Sequence, residues 1–274
     1  MLKITLPLLG MMLQSTAASA NSFQFQTDLS YQWMDLQQQP QAHSANWQVG
    51  QQIYLQPVQL NTAQPLAEAA FLQRQSSLNA SYDRSDVRYA VAGNMQRSYS
   101  NSWSAGADYM SAQHNFYAAL NLYQPNQSAN RGATAKLGYF MQQDWLLTVN
   151  MTRYSSDIVA IEPLYAVSSK KILQLPNGNW LTVTASFVNT PDSSNNGYQA
   201  EADYYLNPAW SVGLGYDWES SGLLGNDGLN GLALRSHWFV TTAWAMQASV
   251  RRSKQSNSAA AAEYNYQLAA SYRF

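Results

Sequence analysis

The stretch YNYQLAASYRF (residues 264–274), which ends the chain, decides the fold. Apolar side chains occupy every second position in it, and polar or small residues lie between them. A period of two places these two sets on opposite faces of a β-strand. In a soluble domain, an aromatic face that runs to a terminal Phe would be an exposed edge prone to aggregation. The stretch therefore predicts the closing strand of a barrel whose outer face contacts lipid.

The aromatic end of this strand, Tyr272 and Phe274, resembles the C-terminal targeting strand of bacterial outer-membrane β-barrels. The resemblance implies that the two residues form an assembly signal for the barrel-assembly machinery.

The beginning of the chain has the pattern of an export signal. Lys3 gives a positive start, residues 4–13 are largely apolar, and Ala18 and Ala20 form a small-x-small cleavage site. A transmembrane helix would need about 20 apolar residues, which this run does not reach. We therefore expect residues 1–20 to be a signal peptide and residues 21–274 to form one outer-membrane β-barrel domain.

The composition agrees with a barrel. Without any Cys, the chain has neither a disulfide framework nor a thiolate metal site. A net charge of -1 gives no electrostatic reason to bind nucleic acid. The 18 Tyr and 9 Trp come with a mean hydropathy of -0.35, as expected when apolar and polar residues alternate. A secreted β-sandwich or β-helix is the alternative, but it leaves the aromatic terminal strand unexplained.

Several segments alternate in this way, beginning with Phe23 and Phe25, which are predicted to share the outer face of the first strand. A weak repeat sets the topology, because five tryptophans follow polar turns and begin such runs: Trp103, Trp145, Trp180, Trp210 and Trp244. The Trp ring is apolar while its N–H needs a partner, so Trp favours the membrane interface. Each is predicted to be an interface aromatic that starts an outward-going strand. Coincidence in a Trp-rich chain is the alternative.

Outward-going strands near Phe23 and Gln75 complete seven hairpins, or about 14 strands, an even number. His114 to Tyr123 also alternates where only two strands should fit, so about 12 or 16 strands stay possible. The predicted fold class is all-β, a single transmembrane antiparallel β-barrel.

One block interrupts the strands. Residues 65–77 have apolar positions at helical spacing, which predicts a buried plug of one or two helical turns at a rim. The candidate outer loops are polar and short, and none is long enough to constrict the lumen: 37–45, 124–131, 155–163, 190–197, 219–230 and 253–261. This favours a monomer with an unobstructed pore.

Residues 65–77, the signal peptide and the terminal strand together resemble a gammaproteobacterial family of general bacterial porins. The resemblance covers the mature chain in pattern, but only the helical block and the C-terminus in motif. It implies localisation in the bacterial outer membrane and a porin function, and it adds more about architecture than about mechanism.

Residues opposite the aromatic faces are expected to line the pore. These include five acids, Asp28, Asp108, Glu201, Asp203 and Asp217, and five bases, Arg88, Lys136, Arg235, Arg251 and Arg273. A charge on the lipid face would cost about 2–4 kcal/mol at the midplane, so charges should follow the lumen phase. Tyr205 and Phe140 are also expected to point inward, where aromatic rings can form a track for sugars. Mutual pairing of the charges in a closed lumen is the alternative to an open pore.

Catalysis is not expected. The outer-membrane phospholipase family carries Gly-His-x-Ser-Asn-Gly and lipid A deacylases carry His-x-Ser, and none of His43, His114 and His237 matches either pattern. Protease barrels use acidic pairs with a His, whereas Asp83 and Asp86 are expected in a solvated turn without one. No phosphate loop, zinc spacing or calcium loop occurs in the sequence, so neither a metal nor a cofactor is predicted.

The sequence thus predicts an outer-membrane porin for passive, weakly selective diffusion of small polar solutes. The expected partners are outer-membrane lipid, including lipopolysaccharide, and the export and barrel-assembly machinery. A non-conducting structural or adhesive barrel is the alternative, and a barrel hydrolase a more remote one.

Overall fold

A computed structural model describes residues 21–36, 42–91, 94–125, 131–155, 163–189, 196–220, 228–255 and 262–274. The predicted signal peptide, residues 1–20, lies outside these ranges and stays a prediction. None of the helices in the described ranges has the length and apolar character needed to cross a membrane.

The described residues form fourteen antiparallel strands in one closed barrel. In chain order they are β1 (Ser22–Leu36), β2 (Ala42–Gln59), β3 (Ser77–Val91), β4 (Asn94–Met110), β5 (Phe116–Pro125), β6 (Arg131–Gln142), β7 (Trp145–Ser155), β8 (Leu164–Gln174), β9 (Trp180–Asn189), β10 (Asn196–Asn207), β11 (Trp210–Ser220), β12 (Gly228–Phe239), β13 (Trp244–Gln255) and β14 (Glu263–Arg273). Each strand pairs with its chain neighbours, and β14 pairs with β1 to close the barrel. The predicted fold class and strand number are confirmed.

The barrel has two distinct rims. The near rim holds Ser22, Phe274 and the short turns such as 143–144 and 208–209. The far rim lies at the opposite ends of the strands. There β1 connects to β2, β3 to β4, and so on up to β13 and β14. Strands β2 and β4, with 18 and 17 residues, are longer than the 9–11 residues that span a bilayer. The part of the barrel formed by these strands therefore extends beyond the hydrocarbon.

The predicted starting points of the strands were right at four tryptophans and wrong at one. Trp145, Trp180, Trp210 and Trp244 are the first residues of β7, β9, β11 and β13. Trp103 lies within β4, where it pairs with Tyr82. The third outward-going strand is β5, within the segment that did not fit the predicted count.

The two faces of the wall follow the predicted alternation. Leu214, Leu234 and Leu268 are 52% to 60% exposed on the outer face, and polar or small residues beside them point into the lumen. Phe23 is an exception, and its predicted place on the outer face is wrong. The amides of Gln24 and Phe25 both donate to the carbonyl of Phe274, at 3.0 and 2.8 Å. This bulge changes the facing of the strand, so Phe23 is buried inside.

Residues 65–74, here called the plug segment, fill the near mouth of the lumen. A 3-10 turn, Leu66–Glu68, leads into one helical turn, α1 (Ala69–Leu72). Phe71 and Leu72 pack against Phe140 and Ile172 of the wall, and Leu66 packs against Phe239. The predicted buried rim plug is confirmed, and the expectation of an unobstructed pore is wrong at this rim.

Candidate functional site: the barrel lumen

The plug segment is bonded to the wall on several sides. The Leu66 amide donates to the Pro208 carbonyl at 2.9 Å, and its own carbonyl accepts from Arg273 Nη1 at 2.9 Å. Arg74 donates to Asn115 Oδ1 at 2.6 Å and stacks on the Phe140 ring. The segment thereby contacts strands or turns around much of the circumference and narrows the near mouth.

Glu68 is the buried charge of the plug segment. Its Oε2 lies 2.6 Å from Lys170 Nζ on β8, and Oε1 accepts from Thr182 Oγ1 at 3.1 Å and from the Tyr205 hydroxyl at 3.2 Å. Glu68 and Lys170 were missing from the predicted lumen charges. The sequence does contain a sign of Glu68, which is a carboxylate among the apolar positions of a helical block. Such a buried charge needs a partner of opposite sign.

Tyr205 and Phe140 do point inward, as predicted, but neither is open to a passing solute. Tyr205 is 4% exposed and Phe140 is fully buried, because the plug segment covers both. They support the plug and do not form an aromatic track.

One side of the lumen carries paired charges. Arg235 on β12 donates to both carboxylate oxygens of Asp203 at 2.6 Å and to Glu201 Oε2 at 2.5 Å. Arg251 on β13 pairs with Asp217 on β11. The structure thus brings together five of the predicted lumen residues in two ion clusters.

Glycines make the larger cluster possible. Gly213 lies in register between Asp203 and Arg235, so the two side chains meet across β11. A Cβ at Gly213 would lie 2.0 Å from Asp203 Oδ1, which leaves no room for another side chain. Gly231 leaves similar space for the Asp217 carboxylate. The ion clusters therefore depend on the small residues between them.

The opposite side of the lumen is polar and has few charges. A cavity of about 480 Å³ is lined mainly by Ser, Asn and Gln side chains of β1 to β4: Gln32, Ser44, Asn46, Gln48, Ser81, Ser85, Ser100, Ser102 and Ser104. Asp83 also lines it, on the lumen face of β3. The expectation that Asp83 and Asp86 lie in a turn is wrong, because both belong to β3.

The remaining predicted acids and Lys136 also lie on lumen positions. Asp108 accepts from the Tyr117 hydroxyl at 2.6 Å, and Asp28 from Gln26 Nε2 at 2.9 Å. Lys136 lies opposite Ala119 in register. Among the described ion pairs, none joins Asp28, Asp83 or Asp108 to a base.

Arg88 is the predicted lumen residue that the structure places elsewhere. It shares its face of β3 with Leu78 and Tyr82, which are 48% and 47% exposed, and so points outward. The argument from lipid cost does not apply to it, because Arg88 lies near the far end of a 15-residue strand, beyond the length that spans the hydrocarbon.

The predicted interface tryptophans divide into two groups. Trp145 and Trp210 begin their strands on the outer face and donate from Nε1 to serine hydroxyls at 3.0 and 2.9 Å. Trp244 lies against Tyr272, with ring centroids 4.6 Å apart, and Trp103 points outward from within β4. Trp180 is on the lumen face instead, where its Nε1 donates to the Ala63 carbonyl at 3.1 Å.

The terminal strand closes the barrel with aromatic contacts. The Phe274 ring stacks on Phe25 with centroids 5.3 Å apart and lies 5.6 Å from the Tyr272 ring.

The described residues contain no group of three His, Cys, Asp or Glu that could hold a metal ion.

A closed antiparallel barrel with an apolar outer face, aromatic residues at its ends and a polar lumen is a transmembrane barrel of the bacterial outer-membrane type. A family model described as "Putative general bacterial porin" matches residues 1–166 and 161–274. The chain belongs to this porin family, and its location is the bacterial outer membrane. In such barrels the short turns are periplasmic, so the near rim faces the periplasm and the far rim the outside.

Solved structures include similar barrels, and one of them is similar enough to show the same fold. The outer membrane protein Omp33 of Acinetobacter baumannii is similar with a TM-score of 0.68 and 18% identity, over 93% of this chain and 100% of that chain. OprB of Pseudomonas putida gives a TM-score of 0.48 and 10% identity, over 92% of this chain and 93% of that chain. No curated protein sequence matches this chain.

Proposed function

We propose that this porin is a passive channel through which small polar solutes diffuse, with a weak preference for cations. The observation that supports the proposal is the cavity inside the barrel, whose hydroxyl and amide lining suits polar solutes and requires no chemical step. We propose no catalysis and no cofactor. The proposal also includes a monomer that is exported and then inserted by the barrel-assembly machinery.

The weak cation preference follows from which lumen charges are compensated. Arg235 and Arg251 are held in ion clusters by carboxylates. Arg273 is 6% exposed beneath the plug segment and donates to the Leu66 carbonyl, so ions in the lumen do not contact it directly. Asp83 faces the polar cavity, and Asp28 and Asp108 lie elsewhere on the lumen face. None of the three is paired with a base in the described ion pairs. The uncompensated acids therefore outnumber the uncompensated bases on the described lumen face.

A non-conducting structural barrel is the second candidate, because the plug segment occupies the near mouth. The two candidates differ in one measurable property, which is ion conduction by folded and inserted protein.

The test is single-channel recording of the refolded mature protein in a planar bilayer with a KCl gradient. Discrete openings with a small reversal potential of the cation-selective sign are expected. Asp83→Asn should reduce that potential, whereas Asp86→Asn, an outward-facing acid on the same strand, should leave it unchanged. Absence of current from protein shown to be folded and inserted would favour the structural barrel, and a strong anion-selective potential would contradict the assignment of lumen charges.

A further inference from the structure

The outer surface of the barrel has a groove that extends from β12, β13 and β14 across β1 and β2 to β3. Its lower part is a cavity of about 470 Å³ with apolar walls that include Leu29, Trp47 and Trp238. The small side chains of Ala248 and Ala270 line it and leave the wall recessed. The groove therefore has the apolar character and the recessed shape that would seat an acyl chain.

The upper part of the groove changes from apolar to charged. A second cavity of about 540 Å³ is lined by Tyr31, Trp33, His43 and Arg88, and it shares Tyr31 with the lower one. Trp33 stacks on Tyr266 with centroids 5.2 Å apart. Aromatic side chains of this kind lie at the membrane interface. The upper cavity therefore extends from the edge of the hydrocarbon toward the headgroups.

Arginines are concentrated on the far side of this cavity. Arg88 and Arg97 are direct cross-strand partners on β3 and β4, an arrangement that is unfavourable for like charges. Asp86 forms a two-point ion pair with Arg97 through Nε, at 2.9 Å, and Nη2, and it lies 3.8 Å from Arg88 Nη2, so one carboxylate serves two guanidinium groups. Arg84 and Arg97 both lie over the ring of Tyr99. Two guanidinium groups thus share one carboxylate, with Arg84 nearby over Tyr99, and the side chains of Arg88 and Arg97 are 52% and 47% exposed.

We propose that this outward groove binds lipopolysaccharide, with an acyl chain against Ala248 and Ala270 and a lipid A phosphate on Arg88 and Arg97. The far rim faces the outside, so the lipid at this height belongs to the outer leaflet. A phosphate supplies the negative charge that the arginine cluster lacks, and guanidinium groups bind phosphate through paired, charge-assisted hydrogen bonds. The site lies outside the lumen and is independent of conduction.

The experiment measures lipid binding to the folded barrel in detergent by native mass spectrometry. Wild type is compared with Arg88→Gln/Arg97→Gln, and with a matched control, Arg131→Gln/Arg153→Gln, which removes two arginines from β6 and β7, away from the groove. The probes are rough lipopolysaccharide, the same lipid without its phosphates, and phosphatidylglycerol.

We expect the cluster variant to bind lipopolysaccharide at least about tenfold more weakly than wild type, because it loses the charge-assisted hydrogen bonds to the phosphate. The control variant should bind it normally. Removal of the lipid's phosphates should abolish the difference between the variants. Ala270→Leu, which fills the apolar part, should weaken binding while leaving the arginines in place.

Two results would overturn the proposal. One is equal binding of lipopolysaccharide by the cluster variant and wild type. The other is equal binding of phosphatidylglycerol and lipopolysaccharide by wild type, which would assign the groove to a glycerophospholipid. Unchanged heat-modifiable migration of the cluster variant on gels provides the control for correct folding, whether or not the barrel conducts.

Discussion

Glu68→Gln tests whether the plug segment controls the near mouth. The substitution keeps the size of the side chain and an oxygen that can accept from Thr182 and Tyr205, but it removes the negative charge beside Lys170. Glu68 is 6% exposed, and its Oε2 lies 2.6 Å from Lys170 Nζ. The main loss is therefore the ion pair that holds the plug segment to β8.

The expected size of the effect follows from this burial. Removing one partner of a buried ion pair costs about 3–5 kcal/mol, because the other charge is left without compensation. Lys170 is 33% exposed, so water partly compensates it, and we discount the cost to about 1–3 kcal/mol. If the substitution destabilises the bound position of the plug segment by this amount, the fraction of molecules with a displaced plug segment rises by about 5- to 150-fold.

Two assays read this displacement. Single-channel recordings should show a higher open probability or larger steps for Glu68→Gln than for wild type. Trypsin added to protein in open membrane fragments should cleave faster after Arg74, because Arg74 leaves its contacts with Phe140 and Asn115 when the segment moves.

Asp28→Asn is the matched control, since it removes a lumen carboxylate whose described bonds go to its neighbour Gln26 and none to the plug segment. The double variant Glu68→Gln/Lys170→Met should restore much of the seating, because no uncompensated charge remains. The reasoning would be refuted if Glu68→Gln and Asp28→Asn changed conductance equally and left cleavage after Arg74 at the wild-type rate.

Three further outcomes are expected. Gly213→Ala should destabilise the barrel by about 1–3 kcal/mol in urea unfolding, because the new methyl would lie 2.0 Å from Asp203 Oδ1. The control Gly215→Ala should have little effect, because its nearest contact would be at 3.4 Å. Deletion of Phe274 should lower the amount of heat-modifiable, folded barrel in outer membranes, and an unchanged amount would argue against its role as an assembly signal. N-terminal sequencing of the protein from outer membranes should begin directly after Ala20, and another start would contradict the predicted cleavage site.

The strand pattern was predictable because alternation is a local property. Each run from Trp145, Trp210 or Trp244 shows its own period of two, so the fold class follows without knowledge of any long-range contact. The strand number was right although Trp103 was misplaced, because Trp103 took the place of the true third outward-going strand, β5. An unassigned alternating segment was the signal of that error.

The facing of individual residues was less predictable, because a shift of one residue exchanges the two faces. Phe23 turns inward through a bulge that depends on the carbonyl of Phe274, at the other end of the chain. Arg88 was assigned by an energetic rule that holds only within the hydrocarbon. Both errors arise where a local pattern meets a long-range or positional constraint.

The plug contacts could not have been predicted from spacing. Glu68 meets the Tyr205 hydroxyl across 137 positions of sequence, and nothing in the helical block indicates which strand supplies that partner. The block itself was recognisable because its period differs from that of the strands. Sequence alone therefore gives the presence of the plug, while closure of the barrel determines which side chains hold it.

The division of charges within the lumen separates stability from permeation. The clusters around Arg235 and Arg251 link β10 to β13 across glycines, so their carboxylates are compensated and act mainly on the wall. Asp83 lies across the lumen in a wall of serines and amides, where its charge acts on whatever enters. Substitutions in the ion clusters should therefore change unfolding more than selectivity, and substitutions at Asp83 should do the reverse. The plug segment contacts neither set directly in the described ion pairs, so access to the lumen can change without altering its lining.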